Sequence, residues 1–233
     1  MIIAIHQPQY LPWLGYFDKM DQADAFCYLD NVQFKKNEWQ NRNRLKTAQD
    51  WQWLTVPVRY HFPQKIIEVT INPGVKWQHK HLQALVTNYK KALYFDDYFP
   101  IFESALKQAF ESISDLNIHM ITQIREILGM NSKPTVRASE IPLSDDPTGR
   151  LVDICKYFGG DTYLAGQDGA KYMDMGQFAK SGIKVVTQSY IHPEYPQCFG
   201  EFQAHMSIID LIFNCGPESL NIIRTGNRSS VIG

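Results

Sequence analysis

The chain has 233 residues, 44% of them hydrophobic, enough for one large domain or a domain with a sizeable insertion around a substantial core. Its 23 basic and 24 acidic residues give a formal charge of -1, which excludes a general electrostatic attraction to nucleic acid or to an anionic membrane. Four widely spaced cysteines, Cys27, Cys155, Cys198 and Cys215, form no CxxC pair, no secretory signal precedes them, and no apolar run approaches the roughly 18 residues of a membrane span; a cytoplasmic protein with reduced thiols is expected.

The apolar run Met1–Ile5 breaks at His6 into a loop with Gln7, Gln9, Tyr10, Trp13 and two prolines, then resumes as the amphipathic segment Leu14–Met20. This reads as strand, loop and helix, and Ala25–Asp30 follows as a second strand with a right-handed parallel crossover. The polar stretch from Gln33 to Lys46 is either a solvated hairpin or a cradle for an anion. Trp51–Arg59 and Ile66–Ile71 alternate like antiparallel strands, closed by a turn at Asn72-Pro73-Gly74. Helical spacing follows over Lys76–Lys91, Phe99–Ile113 and Leu116–Leu128, with Gly129 as a stop.

From Pro134 the chain alternates again: strand Thr135–Ala138, helix Gly149–Phe158, strand Thr162–Ala165, helix Ala170–Lys180, strand Ile183–Gln188, and a last helix, Ser207–Asn214, opened by a serine cap. The expected fold is one α/β domain over residues 1–233, a Rossmann-like, mostly parallel sheet. A β-rich insertion spans about 33–75 and a helical middle region about 76–130.

In such sheets ligands bind beyond the carboxyl ends of the strands, where His6 stands. An imidazole with an ordinary pKa near ~6.5 exchanges protons at neutral pH and suits a general base; its alternative is a core histidine that pins the loop. Gln7, Tyr10 and Trp13 would orient the ligand, Trp13 by stacking. Lys36, Asn41, Arg42 and Lys46 suit a pyrophosphate, or else form a charged strand edge. Gly166, in the turn after a strand, offers backbone amides, and His192, Tyr195 and Gln197 follow the next strand and can return to the same crevice. Asp210, inside an apolar helix, must find a buried partner. His79 and His81 are two residues apart, which separates them on a helix, and no metal site is expected.

Several ordered motifs, IHQPQYLPWLGYFDKM at the start, NRNRLK with WLTVPV after it, and YLAGQDGAKYMD, HPEYPQ and SIIDLIFNCG toward the end, resemble the WbqC-like protein family over essentially the whole chain. The resemblance implies a protein of bacterial surface-polysaccharide (O-antigen, lipopolysaccharide) clusters that places an acyl or aminoacyl group, glycyl being favoured, on an amino sugar. It also adds Asp168, Lys171 and Tyr172 to the candidate site, since they lie in a shared motif. A second likeness is one of placement: Pro12-Trp13-Leu14-Gly15-Tyr16 is similar to the HxGH or TxGH signature of the nucleotidyltransferase superfamily. Trp13 and Tyr16 stand where that motif has its phosphate-binding side chains, so what the likeness implies is a nucleotide-shaped crevice.

The expected activity is a transferase moving an acyl or aminoacyl group onto the amine of a nucleotide-linked amino sugar. His6, Asp168 and His192 are its candidate catalytic residues, and Tyr16 joins the binding residues. The alternatives are an ATP-dependent amide ligase or degenerate nucleotidyltransferase, and a sugar-nucleotide-binding protein without turnover. No tightly bound cofactor is expected; acyl-CoA, an acyl-carrier thioester or ATP are candidate co-substrates. The nucleotide-activated amino sugar and an acyl-carrier protein are the candidate partners, with a homodimer as the candidate assembly.

Overall fold

The computed structural model describes residues 1–167, 169 and 173–227. The chain opens with β1 (Ile2–His6), α1 (Leu14–Gln22) and β2 (Ala25–Tyr28). It then leaves the main sheet for β3 (Arg42–Lys46), β4 (Trp51–Thr55), β5 (Val58–Arg59) and β6 (Thr70–Ile71), followed by α2 (Trp77–Tyr89), α3 (Phe95–Lys107) and α4 (Ile113–Ile127). It returns with β7 (Thr135–Arg137), α5 (Pro147–Tyr157), β8 (Thr162–Ala165), α6 (Met175–Lys180) and β9 (Lys184–Thr187), and ends in α7 (Ile208–Cys215) and α8 (Ser219–Thr225).

Five strands form a parallel sheet in the order β7-β2-β1-β8-β9. Counted along the sheet's own strands this is 3-2-1-4-5, the doubly wound order. The sheet grows one way from β1 to β2 and β7, then reverses to β8 and β9 on the other side of β1, so the topological switch point lies between β1 and β8. Both faces are covered, as a parallel sheet requires. Ile3 and Ile5 of β1, with Cys27 and Tyr163, pack in one core with Val152, Ile154 and Cys155 of α5 and Phe178 of α6. Ala4, Phe26 and Leu164 point to the opposite face and a larger core that includes Leu14, Phe17 and Met20 of α1 and residues of α4, α7 and α8.

Between β2 and β7, β3 pairs antiparallel with β4, and β5 with β6. Of the two readings of the Gln33–Lys46 stretch, the hairpin holds for Arg42–Lys46, where Asn43 and Leu45 alternate inward and supply its buried side. Two local outcomes differ from the sequence expectation. Ile66–Glu68 is a short 3-10 turn, leaving only Thr70–Ile71 to pair. α3 starts at Phe95 and carries Pro100 inside it, with Asp96 and Asp97 in the first turn where the helix dipole favours acids. The α4 stop is as expected: Gly129 takes φ +69°, and Met130 N–H returns to the Arg125 carbonyl at 2.8 Å. Of the helix expected over Ala170–Lys180, residues 170–172 lie outside the described residues. Among the described residues no helix is long and apolar enough to cross a membrane.

Candidate functional site

The loop after β1 is held from three sides. Tyr10 N–H donates to the Trp39 carbonyl at 3.0 Å. Asn43 Nδ2 donates to the Leu11 carbonyl at 2.7 Å, Ser207 Oγ to the same carbonyl at 2.8 Å, and Asn117 Nδ2 to the Pro8 carbonyl at 3.1 Å. Leu11 sits at φ 45°, a conformation a leucine rarely adopts, and these contacts hold it there. The strained loop fixes where Trp13 emerges. Its indole lies across Gly15, where any Cβ would meet Trp13 Cη2 at 2.2 Å. Only glycine leaves room for the ring.

Beyond the carboxyl ends of β1, β8 and β9, at the switch point, is a cavity of about 150 Å3 lined by His6, Trp13, Gly15, Tyr16, Gly166, Gln167, Gln188 and Tyr190. A second, larger cleft of about 330 Å3 lies between β4 and α2, with Lys80 and His81 in its wall, away from the strand ends. His6 packs edge-on to Tyr16 at 4.8 Å, and its Nδ1 is 3.1 Å from the Gln7 carbonyl. A carbonyl only accepts, so Nδ1 carries the hydrogen and Nε2 keeps its lone pair. Burial, with the Lys19 ammonium nearby, lowers the His6 pKa to about 3, so the ring is neutral. Lys19 is itself buried, donates to the Ile5 carbonyl at 2.8 Å, and is lowered by burial to about 7.

Gln188, just past β9, uses its Nε2 on the Gly15 carbonyl at 2.9 Å and on Asp18 Oδ2 at 2.6 Å. Both amide hydrogens are spent, and the oxygen is what Gln188 has left to offer. Asp18 also accepts from Gln22 at 2.6 Å; burial raises its pKa to about 6, with the two amide donors opposing the shift. The Tyr16 and Tyr190 hydroxyls are buried with no hydrogen-bond partner among the described residues. His6 thus brings a lone-pair nitrogen and Gln188 an amide oxygen to the residues that line the cavity, and both accept from a ligand that donates hydrogens, such as an amine.

An aromatic wall runs on from the cavity. Trp13 meets Tyr190 edge-on at 5.7 Å, stacks with His192 at 6.2 Å and 16°, and touches His205 at 5.4 Å. His192 is lowered to about 4 by burial; its Nδ1 donates to the Pro193 carbonyl at 3.0 Å, and its Nε2 is buried without a partner among the described residues. His205 adopts φ 61° and lies close enough to Arg44 for that charge to help lower its pKa, after burial. Arg44 belongs to the outward face of the β3–β4 hairpin. There the Arg42 guanidinium lies 4.1 Å from the Trp53 ring, and that of Arg44 lies 4.5 Å from Trp51 and 5.2 Å from Trp53.

Of the residues singled out in the sequence, His6, Trp13, Tyr16 and Gly166 come together around the cavity, with His192 behind Trp13. Gln7 contributes its carbonyl to His6, while its side chain accepts from Gln40 at 2.7 Å. Tyr10 is fully buried elsewhere, its hydroxyl 2.8 Å from His81 Nδ1. Tyr195 and Gln197 both donate to Asp210, at 2.9 and 2.7 Å, and Tyr89 completes that buried carboxylate's shell at 2.9 Å. The expected cluster of Lys36, Asn41, Arg42 and Lys46 separates. Asn41 donates inward to the Val56 carbonyl, buried Lys46 reaches the Glu201 carbonyl, and Lys36 is exposed in a turn, which leaves Arg42 on the hairpin's outer face. Asp168, Lys171 and Tyr172 lie outside the described residues.

Gln188, Tyr190, Asp18 and His205 were not singled out. Their one sequence signal was the end of the last sheet strand, at Gln188, a position equivalent to that of His6 on β1. Among the described residues, no three His, Cys, Asp or Glu side chains gather to hold a metal.

The chain is similar to an uncharacterized protein, Rv1507c, of Mycobacterium tuberculosis (strain ATCC 25618 / H37Rv), 35% identical over 229 residues, which are 95% of this chain and 97% of the relative. No solved structure matches it. Residues 7–222, which include every described lining residue of the cavity except His6, match the family model, and the chain belongs to the WbqC-like protein family.

Proposed function

We propose that the protein is a transferase of surface-polysaccharide biosynthesis that moves an acyl or aminoacyl group onto the amine of a nucleotide-linked amino sugar. The observation that carries this reading is the cavity at the switch point, lined by His6, whose Nε2 keeps its lone pair, and by Gln188, whose amide oxygen is left to accept from a primary amine. In the reaction the amine nitrogen attacks the carbonyl carbon of a thioester or acyl-adenylate. The new C–N bond forms, the C–S or C–O bond breaks, and the leaving group departs with the bonding pair. The proton lost by the amine passes to His6 Nε2, which is unprotonated at rest. The Gln188 oxygen, fixed by Gly15 and Asp18, orients the amine. Acyl-CoA, an acyl-carrier thioester or ATP with a free acid would supply the group.

One observation favours a second reading. A histidine lowered to about 3 is a weak base in the empty cavity, as befits a nucleotide-sugar-binding protein without turnover. Incubation of the purified protein with dTDP- and UDP-amino sugars and a panel of acyl-CoA, glycyl-carrier and ATP-plus-acid donors separates the two. The transferase forms a new amide detectable by mass spectrometry, and His6→Gln lowers its rate by roughly 10²-fold or more. Ligand binding with no amide across the panel establishes the second reading and overturns the first.

A further inference from the structure

We propose that Arg44 and Arg42, on the outward face of the β3–β4 hairpin, hold the diphosphate of the ligand whose amine end enters the His6 cavity. The inference rests on the nucleotide-linked substrate of the preceding section and says where its charge goes.

The strand register makes the site. Arg44 pairs with Trp53, Arg42 with Thr55 and Lys46 with Trp51, so with the strand period of two Arg42, Arg44, Trp51 and Trp53 share one face. Asn43, Leu45 and Leu54 take the other and are buried. The Trp53 and Trp51 rings lie against the Arg42 and Arg44 guanidiniums, and a guanidinium offers the planar fork of donors that suits bidentate phosphate recognition. Trp39, 5.5 Å from the Arg44 guanidinium and 5.6 Å from the Trp53 ring, extends the support.

These two cations have no carboxylate partner among the described residues, in a chain that pairs Arg137 with Asp115 and Arg224 with Asp21. Arg42 donates to the Asn37 carbonyl, and the Nε atoms of Arg42 and Arg44 are both buried without a partner. Asp50, in the turn between β3 and β4, accepts from Gln203 at 2.8 Å. Two guanidiniums without a carboxylate partner favour a dianion over a neutral sugar.

Position supplies the second argument. A cavity of about 150 Å3 is well below the roughly 300–1,000 Å3 of pockets that enclose a whole drug-sized ligand. It takes one end of a sugar nucleotide, and the remainder must lie along the wall outside. Trp13 lines the cavity, His205 lies 5.4 Å from Trp13, and Arg44 acts electrostatically on His205. Ser207 N–H also donates to the Arg44 carbonyl at 2.9 Å, tying the hairpin to the segment that carries His205.

The test is calorimetry of the full chain with UDP, dTDP, inorganic pyrophosphate and, as uncharged arms, uridine and thymidine. The diphosphates and pyrophosphate bind, with affinity falling as salt rises, and the nucleosides bind far more weakly. R44Q and R42Q each weaken diphosphate binding about tenfold or more, as loss of a hydrogen bond to a charged group requires. R44K, which keeps the charge and loses the planar fork, falls between R44Q and wild type and serves if R44Q does not fold by circular dichroism. His6→Gln leaves diphosphate binding unchanged. Absence of diphosphate binding to the wild type at millimolar concentration, or equal binding to a folded R42Q/R44Q double variant, overturns the subsite. Amide formation by the double variant at the wild-type KM also overturns it while the transferase reading stands. Arginine-dependent diphosphate binding without amide formation sinks the transferase reading and leaves the subsite in place.

Discussion

Gln188 and Asp18 are 170 residues apart in sequence, yet the Gln188 Nε2 donates to Asp18 Oδ2 at 2.6 Å. The contact ties the end of β9 to the first turns of α1 across the switch point, and sets which end of the amide faces the cavity. Replacing Gln188 with methionine keeps the volume and removes both functions. Buried Asp18 loses one of its two donors, which costs about 1–3 kcal/mol of stability. Equilibrium denaturation measures that cost. Affinity for an amino sugar nucleotide falls while affinity for the nucleoside diphosphate does not. Equal losses for both ligands would show that Gln188 does not recognise the amine end.

Gly15 makes a sharper demand. A methyl group there would stand 2.2 to 2.7 Å from three atoms of the Trp13 six-membered ring, and Tyr190, His192 and His205 surround that indole. Gly15→Ala therefore displaces Trp13 and destabilises the fold by about 1–3 kcal/mol, the usual cost of overpacking. With the smaller ring of Trp13→Phe in place, the same Gly15→Ala change costs less. A double-mutant cycle on unfolding free energies reads the coupling. Strict additivity would mean that the clash is relieved without moving the indole.

The sheet was readable because its signals are local. Met1–Ile5, Ala25–Asp30 and Thr162–Ala165 are short apolar runs separated by helical periods, and strand ends placed His6 and Gly166 near one another before any contact was known. β3 was readable only as one alternative, a hairpin with a charged strand edge: RNRLK holds a single apolar residue, Leu45, and its inward alternation depends on Asn43 finding the Leu11 carbonyl 32 residues away. The same alternation explains why the basic cluster separated. Asn41 and Arg42 are adjacent in sequence and point to opposite faces, while Lys46, on the Arg42 side by register, is drawn to the Glu201 carbonyl. Tyr190 and His205 join Trp13 only through folding, and nothing in their immediate neighbourhoods announces it.

Tyr10 shows how a residue inside the opening motif can serve the fold. Its hydroxyl meets His81 Nδ1 at 2.8 Å, and His81 Nε2 lies 3.2 Å from the Thr55 carbonyl. The carbonyl places the hydrogen on Nε2, so Nδ1 accepts from Tyr10. Tyr10→Phe leaves that nitrogen a buried, unpaired acceptor and lowers stability by about 1–3 kcal/mol, read as a lower denaturant midpoint at constant slope. Ligand affinity should hold, since Tyr10 does not line the cavity. Weakened binding with unchanged stability would return Tyr10 to the binding site.

Five histidines are lowered, His119 and His205 among them, and the three most buried give stability a defined pH dependence. His6 is lowered to about 3, and His81 and His192 to about 4, all chiefly by burial. Each takes up a proton near ~6.5 when the chain unfolds. A histidine with its folded pKa below its unfolded one contributes stability in full above about 6.5, and that contribution is lost as pH falls toward the folded value. Asp18, raised to about 6 by burial, runs the other way, losing its contribution as pH climbs from about 4 to 6; Asp30 and Asp210 are raised as well. The carboxylates therefore mask part of the histidine effect in the wild type. His81→Gln isolates one histidine, because His81 is 4% exposed and apart from the cavity. Between pH ~4 and ~6.5 the variant's unfolding free energy should rise less steeply than the wild type's, by up to about 1.4 kcal/mol per pH unit. Denaturant titrations at half-unit intervals measure both slopes, and parallel curves would show that His81 is not held neutral by the fold.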